Sequence, residues 1–389
     1  MRLRVQIPPV EPTVMKPPKE CPYGDCQGKY FKSHQQHCDK AVRDTRYEQV
    51  EVYRRKCLRC QRTHRVYPQG VSKAQQTARL KGASVMLYVL GISYRGVEDM
   101  LTALGAPLDH SSVYRNVQEA GSKVLELRRE WLEQHSGRIK VVGGDLTYVK
   151  CKGEQAIIGV AVDAQQGVTL EIEVLDNQET ETIRAWLQPL LEATGAQVLE
   201  TDDADAFKTV ADEAGLEHQV CQRHVTLNTL DFIAKTAERI LNKPPAVPQG
   251  LDVSPEQLLA DLETLEWIML GHPESAEQSL REMFLRYADA ASPNKGRRAS
   301  IWYRMRNHVL HLWDHWKRLI CYRTLRHSHN LLFDATNNVT ERAIGWAVKD
   351  RYRTMRGYKR DTSILNVTSL TAWLLERPAG YDMSPLFTA

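Results

Sequence analysis

No stretch of about 18 consecutive apolar residues occurs in the chain, so no membrane-spanning helix and no membrane partner is expected. The opening Met1-Arg2-Leu3-Arg4-Val5-Gln6-Ile7-Pro8-Pro9 lacks the apolar core of a secretion signal. None of the phosphate-loop, dinucleotide-binding or HExxH patterns is present, and neither is an internal repeat or a low-complexity tract. A disulfide framework is missing too. Four of the eight cysteines cluster early, while Cys38, Cys151, Cys221 and Cys321 are scattered. A reducing cytoplasm fits that usage best.

What is present begins with uneven charge. The net charge of the 389 residues is only +4, yet residues 1–140 carry a balance of +11, residues 141–341 one of −11, and residues 342–389 one of +4. A basic front and tail around an acidic middle suit a phosphate-binding surface beside a carboxylate-rich, metal-binding domain. The length favours several units over a single core.

Residues 1–20 hold five prolines and read as an extended, loosely ordered arm. Cys21 and Cys26 form a C-x4-C pair, and Cys57 and Cys60 a C-x2-C pair. Two such knuckles supply the tetrahedral thiolate set of zinc, and the alternating Tyr47–Tyr53 stretch between them fits a zinc ribbon over 21–73. His34, His37 and Cys38 are alternative ligands. Residues 74–137 read as three helices. The first ends at Gly91, the second runs from Ser93 to near Gly105, and the third opens at His110 with a serine available as its cap. Short helices around a glycine-containing turn match a helix-turn-helix, whose recognition helix would present Ser111, Ser112, Tyr114, Arg115 and Asn116 to DNA.

From residue 139 the period changes. Ile139–Val149, Ala156–Asp163 and Val168–Val174 are β-rich runs separated by short turns, which predicts an antiparallel meander. Helices over about 179–193 and 205–214 then alternate with strands at 197–201 and 217–221, giving a mixed α/β sheet over 138–225. Residues 226–335 lose strand character and predict an all-α insertion with Trp267, Trp302, Trp313 and Trp316 as its core. Residues 336–389 supply a completing helix and a basic tail. In that tail Arg342, Lys349 and Arg353 are candidates for phosphate contact, and affinity resting on such contacts falls steeply with salt.

Three carboxylates stand out in this frame. Asp145 interrupts the β-branched run from Val141 to Val149, Asp202 ends the strand of Val198-Leu199-Glu200-Thr201, and Glu341 lies in the first turns of the completing helix. Mg²⁺ and Mn²⁺ prefer such all-oxygen sites, and two of these ions promote phosphodiester cleavage by activating the nucleophile and stabilising the leaving oxygen.

Gly143-Gly144-Asp145-x-Thr147, Thr201-Asp202-Asp203-Ala204-Asp205, Cys221-Gln222-Arg223-His224 and Asn338-x-x-Glu341-Arg342 resemble the DDE transposases of bacterial insertion sequences, most of all the Mutator-like kind. The resemblance covers roughly residues 139–360, with spacings of 57 and then 139 residues between the carboxylates. It implies a ribonuclease-H-like fold and Mg²⁺-dependent cleavage and transfer of double-stranded DNA at element ends. It also implies a DNA-assembled dimer or higher oligomer in the bacterial cytoplasm. Asp145, Asp202 and Glu341 become the metal ligands. Relatives commonly carry glycine where this chain has Asp203, which leaves Asp203 as the reserve second ligand. Cys221 and His224 resemble a C-x2-H motif that is structural or DNA-facing in that group, with a second zinc site as the alternative. A DNA-binding regulator without activity, and a metal-dependent nuclease without strand transfer, remain the rival readings.

Overall fold

The computed structural model describes residues 3–14 and 18–387, with all side chains of these except those of Gln36 and His37. The front is a three-stranded antiparallel sheet of β1 (Phe31–Ala41), β2 (Gln49–Cys57) and β3 (Thr63–Val66) in that order. Three helices follow: α1 (Ala78–Val89), α2 (Tyr94–Ala103) and α3 (His110–His135). Each starts on a side chain that accepts a backbone N–H of the first turn, from Thr77, Ser93 and Asp109 respectively. The cap of α3 is thus Asp109 and not a serine; Ser112 lies within the first turn, where its N–H and hydroxyl both donate to Asp109.

The central domain contains β4 (Val141–Cys151), β5 (Glu154–Asp163), β6 (Val168–Leu175), α4 (Thr180–Thr194), β7 (Val198–Thr201), α5 (Asp205–Glu213) and β8 (Glu217–Val220). The strand order is β6-β5-β4-β7-β8. Strands β4, β5 and β6 are antiparallel neighbours, whereas β7 and β8 join parallel to β4. A meander that ends its antiparallel half and then grows in parallel through α4 and α5 is the ribonuclease-H-like arrangement, and it makes β4 the middle strand.

Helix α6 (Gln222–Asn242) leads into the insertion of α7 (Pro255–Gly271), α8 (Ala276–Tyr287), α9 (Ile301–Leu319) and α10 (Cys321–His329). The insertion has its own core around Leu262, Met283, Trp302 and Trp316. Trp313 packs partly against it, but Trp267, expected in that core, is 54% exposed on the outer side of α7. The chain then returns through α11 (Asn338–Ile344), a π-helical turn at Gly345–Lys349, α12 (Asp350–Tyr352) and α13 (Asp361–Glu376).

One face of the large sheet is covered by α4 and α5 through Trp186, Leu187 and Phe207. The other face shares a single hydrophobic cluster with α1, α2, α3, α11 and α13, running from Leu80 through Val117 and Val160 to Trp373. The helices read as a DNA-binding unit therefore share their core with the sheet. Helix α3 crosses α13 so closely that a Cβ on Gly121 would meet the carbonyl oxygen of Asn366 at 2.4 Å. Residues 3–14, expected as a loose arm, are docked. Gln6 bridges to Asp382, the Glu11 N–H donates to the Gln69 carbonyl, and Val10 is buried.

A nearly buried polar tie across this core is made by Arg128 of α3. It donates to the Thr169 carbonyl and to Glu376 at 3.1 Å, while Glu376 accepts the Thr169 N–H at 2.9 Å. Both side chains are nearly buried, so removing one partner strands the other charge. Arg128→Ala is expected to lower stability by about 3–5 kcal/mol. Lys123→Ala, which breaks the exposed Lys123–Glu126 pair, should change it by less than about 1 kcal/mol. Denaturant midpoints of the two variants check this difference.

Candidate active site

The site is assembled where α11 lies on β4. At Gly143 an added Cβ would stand 2.4 Å from Thr340 Oγ1 of α11 and 3.4 Å from Asn337 Oδ1, so only glycine lets the helix approach this closely. Asn337 precedes the helix, is 1% exposed, and donates from Nδ2 to the Gly144 carbonyl at 3.1 Å. Its own backbone N–H donates to Cys221 Sγ at 3.4 Å. The Gln222 N–H donates to the Ala335 carbonyl at 2.9 Å, which ties together the two ends of the insertion. Asn337 is the residue that reading the sequence overlooked. Its only signal was its place directly before the Asn338-x-x-Glu341 motif.

Strand β7 pairs with β4 up to Gly143 opposite Glu200, and Asp202 follows just past the end of β7, close enough for its charge to act on Asp145. Burial pushes the Asp145 carboxyl up to about 7, and the negative charges of Asp202 and Glu341 push the same way, against a smaller opposing effect of Lys349. Its Oδ1 accepts the Leu146 N–H at 2.7 Å. Asp202 is also raised by burial, with an N–H from Ala204 and the charge of His224 working against that. Asp203 points elsewhere. It accepts from His311 of α9 at 2.7 Å and pairs with Lys208 of α5 at 2.8 Å. Although burial opposes ionisation, these two partners hold its carboxyl at about 2. Asp203 thus serves the contact between the insertion and the sheet domain.

Glu341 is half-buried, with Arg223 Nη1 3.6 Å and His224 Nε2 3.5 Å from its carboxylate. Its Oε1 is buried yet accepts no hydrogen bond among the described residues. Three carboxylates from three elements, one of them destabilised by the other two, form an electrostatically unfavourable arrangement that a divalent cation would relieve. The oxygen-only donor set fits Mg²⁺ or Mn²⁺.

A second cluster lies in the front sheet. Cys21, Cys26, Cys57 and Cys60 bring their sulphurs within 4.8 Å of one another, and the Cys21–Cys60 and Cys26–Cys57 separations are 3.8 Å. Zinc bonded to four thiolates at about 2.3 Å requires sulphurs about 3.8 Å apart, so the geometry fits that ion. Neither His34 nor Cys38 belongs to the cluster, and the His37 side chain lies outside the described residues.

The expected recognition residues of α3 divide. Ser112 and Asn116 are only 4% and 3% exposed. Asn116 donates to Gln76 and Ser84, and Ser112 is held by Asp109, so both are committed within the chain and turned away from a base-reading surface. Tyr114 packs edge-on against Tyr94 and bonds Ser363. Arg115 is exposed and lines a recess with Arg43 and Lys81. In the tail, Arg342 lies over the Trp346 ring, Arg353 is 76% exposed beside Asp350, and Lys349 turns inward to the Tyr148 carbonyl at 3.4 Å.

No family model matches the chain. Over 118 residues it is 30% identical to the transposase for insertion sequence element IS257 in transposon Tn4003 of Staphylococcus aureus, a match covering 30% of this chain and 51% of that protein. The transposase for insertion sequence-like element IS431mec of Staphylococcus aureus strain Mu50 matches to the same extent. The chain thus spans about half the length of the curated relatives it matches. Neither relative speaks for the Mutator-like kind. Among solved structures, the HTLV-2 integrase catalytic core domain in complex with magnesium is 19% identical with a TM-score of 0.19, covering 33% of this chain and 85% of that one. The catalytic core domain of BIV integrase is 15% identical with a TM-score of 0.18, covering 32% and 97%. Both superpose too loosely for residues to be equated.

The raised carboxyl of Asp145 makes a testable statement about pH. A carboxyl that binds its proton more tightly in the folded than in the unfolded chain stabilises fully at acid pH and loses that contribution as pH rises. Here the loss runs from the ordinary 3.8 up through about 7. The metal-free protein should therefore lose thermal stability over that window, and Asp145→Asn should flatten the decline. Adding Mg²⁺ at about pH 8 should raise the melting temperature of the wild type and leave that of Asp145→Asn unmoved. Melting curves across this pH range are the measurement.

Proposed function

We propose that this chain, a relative of insertion-sequence transposases, is a DDE-type polynucleotidyl transferase that binds the ends of its element as double-stranded DNA and cuts and joins strands there. The observation that supports this reading is the raised carboxyl of Asp145, which burial pushes up and the nearby charges of Asp202 and Glu341 push further. These residues would hold Mg²⁺ or Mn²⁺. Bound there, the ions would lower the charge on the scissile phosphate and activate the attacking water or 3′-hydroxyl.

The chain's own groups do the rest. Asn337 and Gly143 fix α11 against β4 and so position Glu341. Arg223 and His224 flank its carboxylate, where they also face an incoming phosphate. Lys349 keeps a positive charge near Asp145. The exposed Arg115, Arg342 and Arg353 follow the DNA backbone by charge and carry no sequence information themselves. The four front cysteines would hold a structural zinc that keeps β1, β2 and β3 together. Cutting two element ends calls for two such sites, so a dimer or larger assembly on DNA in the cytoplasm completes the reading.

Asp145→Asn, Asp202→Asn and Glu341→Gln are each expected to lower Mg²⁺-dependent nicking of element-end DNA by roughly 10³-fold or more, as groups that act as a unit do. Asp203→Asn should retain most of it, because its carboxylate is engaged by Lys208 and His311. Mapping nicks and strand joints on the DNA flanking the gene gives the readout. Nicks without joints would mark a nuclease, and wild-type nicking by any of the first three variants would remove that residue from the site.

A further inference from the structure

Three unlike donors meet beside the carboxylate triad. Cys221 Sγ, a ring nitrogen of His224 and a carboxylate oxygen of Glu341 lie within 4.8 Å of one another. Cys221 is fully buried and caps the N-terminus of the 21-residue α6. Its sulphur accepts the Asn337 N–H at 3.4 Å and lies against the backbone N–H groups of Arg223 and His224. Backbone N–H groups near a sulphur at a helix N-terminus favour its charged form. Burial, together with the charge of Glu341, outweighs them and leaves the thiol raised, and no cationic side chain touches the sulphur among the described contacts. A cation would offset it.

The other two donors are incompletely used. His224 Nδ1 and Glu341 Oε1 are both buried without a hydrogen-bond partner among the described residues. The gap of 3.5 Å between His224 Nε2 and Glu341 Oε1 is too long for a good hydrogen bond. A buried polar atom left unpaired costs about 1–3 kcal/mol, so the unpaired Glu341 oxygen beside the Cys221 sulphur and the His224 ring calls for an occupant. Mg²⁺ does not suit a sulphur ligand. A thiolate, an imidazole and a carboxylate with one position open are instead a zinc donor set. Bonds of about 2.0–2.3 Å require the donors to close in by roughly 1 Å. The His224 side chain, 42% exposed on the first turn of α6, has the freedom to do so.

We propose that Cys221, His224 and Glu341 form a second, thiophilic cation site for Zn²⁺ which shares Glu341 with the carboxylate triad, so that zinc draws this carboxylate away from Asp145 and Asp202. The cation site stands on the three donors alone; its effect on DNA cutting rests on the function proposed above. Zinc then holds the triad incomplete, and Mg²⁺ must compete for a ligand that a softer, tighter-binding ion already occupies.

The full-length protein, loaded with Zn²⁺ and freed of excess by gel filtration, tests the site by its metal content. Two ions per chain are expected in the wild type, one in the front cysteine cluster and one here. His224→Asn, Cys221→Ser and Glu341→Gln should each leave one, Cys57→Ser should leave the one at this site, and Cys57→Ser combined with His224→Asn should leave none. His224→Asn changes a half-exposed side chain and guards against a result caused by misfolding. Co²⁺ loading of Cys57→Ser should give the absorption of a single thiolate ligand, absent once Cys221→Ser is added. One ion in the wild type, or two retained by all three variants, overturns the proposal. Added Zn²⁺ should also raise the Mg²⁺ needed for half-maximal nicking at least about tenfold, the direction set by its tighter binding. Should nicking be absent altogether, the ion count still decides the site.

Discussion

The packing of α11 onto β4 is the contact on which the site depends. It brings a helix that follows a long helical insertion back to the middle strand of the sheet, and it does so through groups with no tolerance for substitution. Gly143 leaves no room for a Cβ under Thr340, Asn337 donates across to the Gly144 carbonyl, and its backbone holds Cys221. The bond from Gln222 to Ala335 closes the base of the insertion. Loop-closure entropy grows only slowly with length, so a closed base lets a large insertion be carried without loosening the site it interrupts.

Electrostatics explains why the carboxylates stay poised. Asp145 is half-buried near two like charges and holds its proton up to about 7, whereas Asp203, one residue beyond Asp202, is paired with Lys208 and His311 and held at about 2. Both behaviours come from neighbours, since the side chains are chemically identical. Glu200, two residues before Asp202 and 1% exposed, shows the same tension: burial lifts its carboxyl to about 9 and the charge of Asp334 pushes the same way. This strand therefore concentrates negative charge that only cations or protons relieve.

The front of the molecule is bound to the sheet domain more tightly than a tethered DNA-binding module would be. Helix α3 contributes to the same hydrophobic cluster as β5 and α13, and Arg128 ties it to β6 and Glu376. Asp44, at the end of the front sheet, accepts from Thr77 and Arg79 at the start of α1. Force applied to the front would thus reach the sheet through packed helices and not through a flexible linker.

The sequence alone determined the elements, because hydrophobic period and capping residues act locally. The strands and helices from 139 to 220 lie within about two residues of where the pattern places them, and the four front cysteines announce their cluster by spacing. Which side of an element faces what was beyond such reasoning. Ser112 and Asn116 look like polar recognition residues until Gln76, Ser84 and Asp109 engage them, and Trp267 looks like core until α7 turns it outward. The direction taken by Asp203 is set by His311, 108 residues away. Docking of residues 3–14 depends on Tyr381 and Asp382 at the far end of the chain. Period and spacing are properties of neighbouring residues, whereas partnership is decided by surfaces that meet only after the chain has folded.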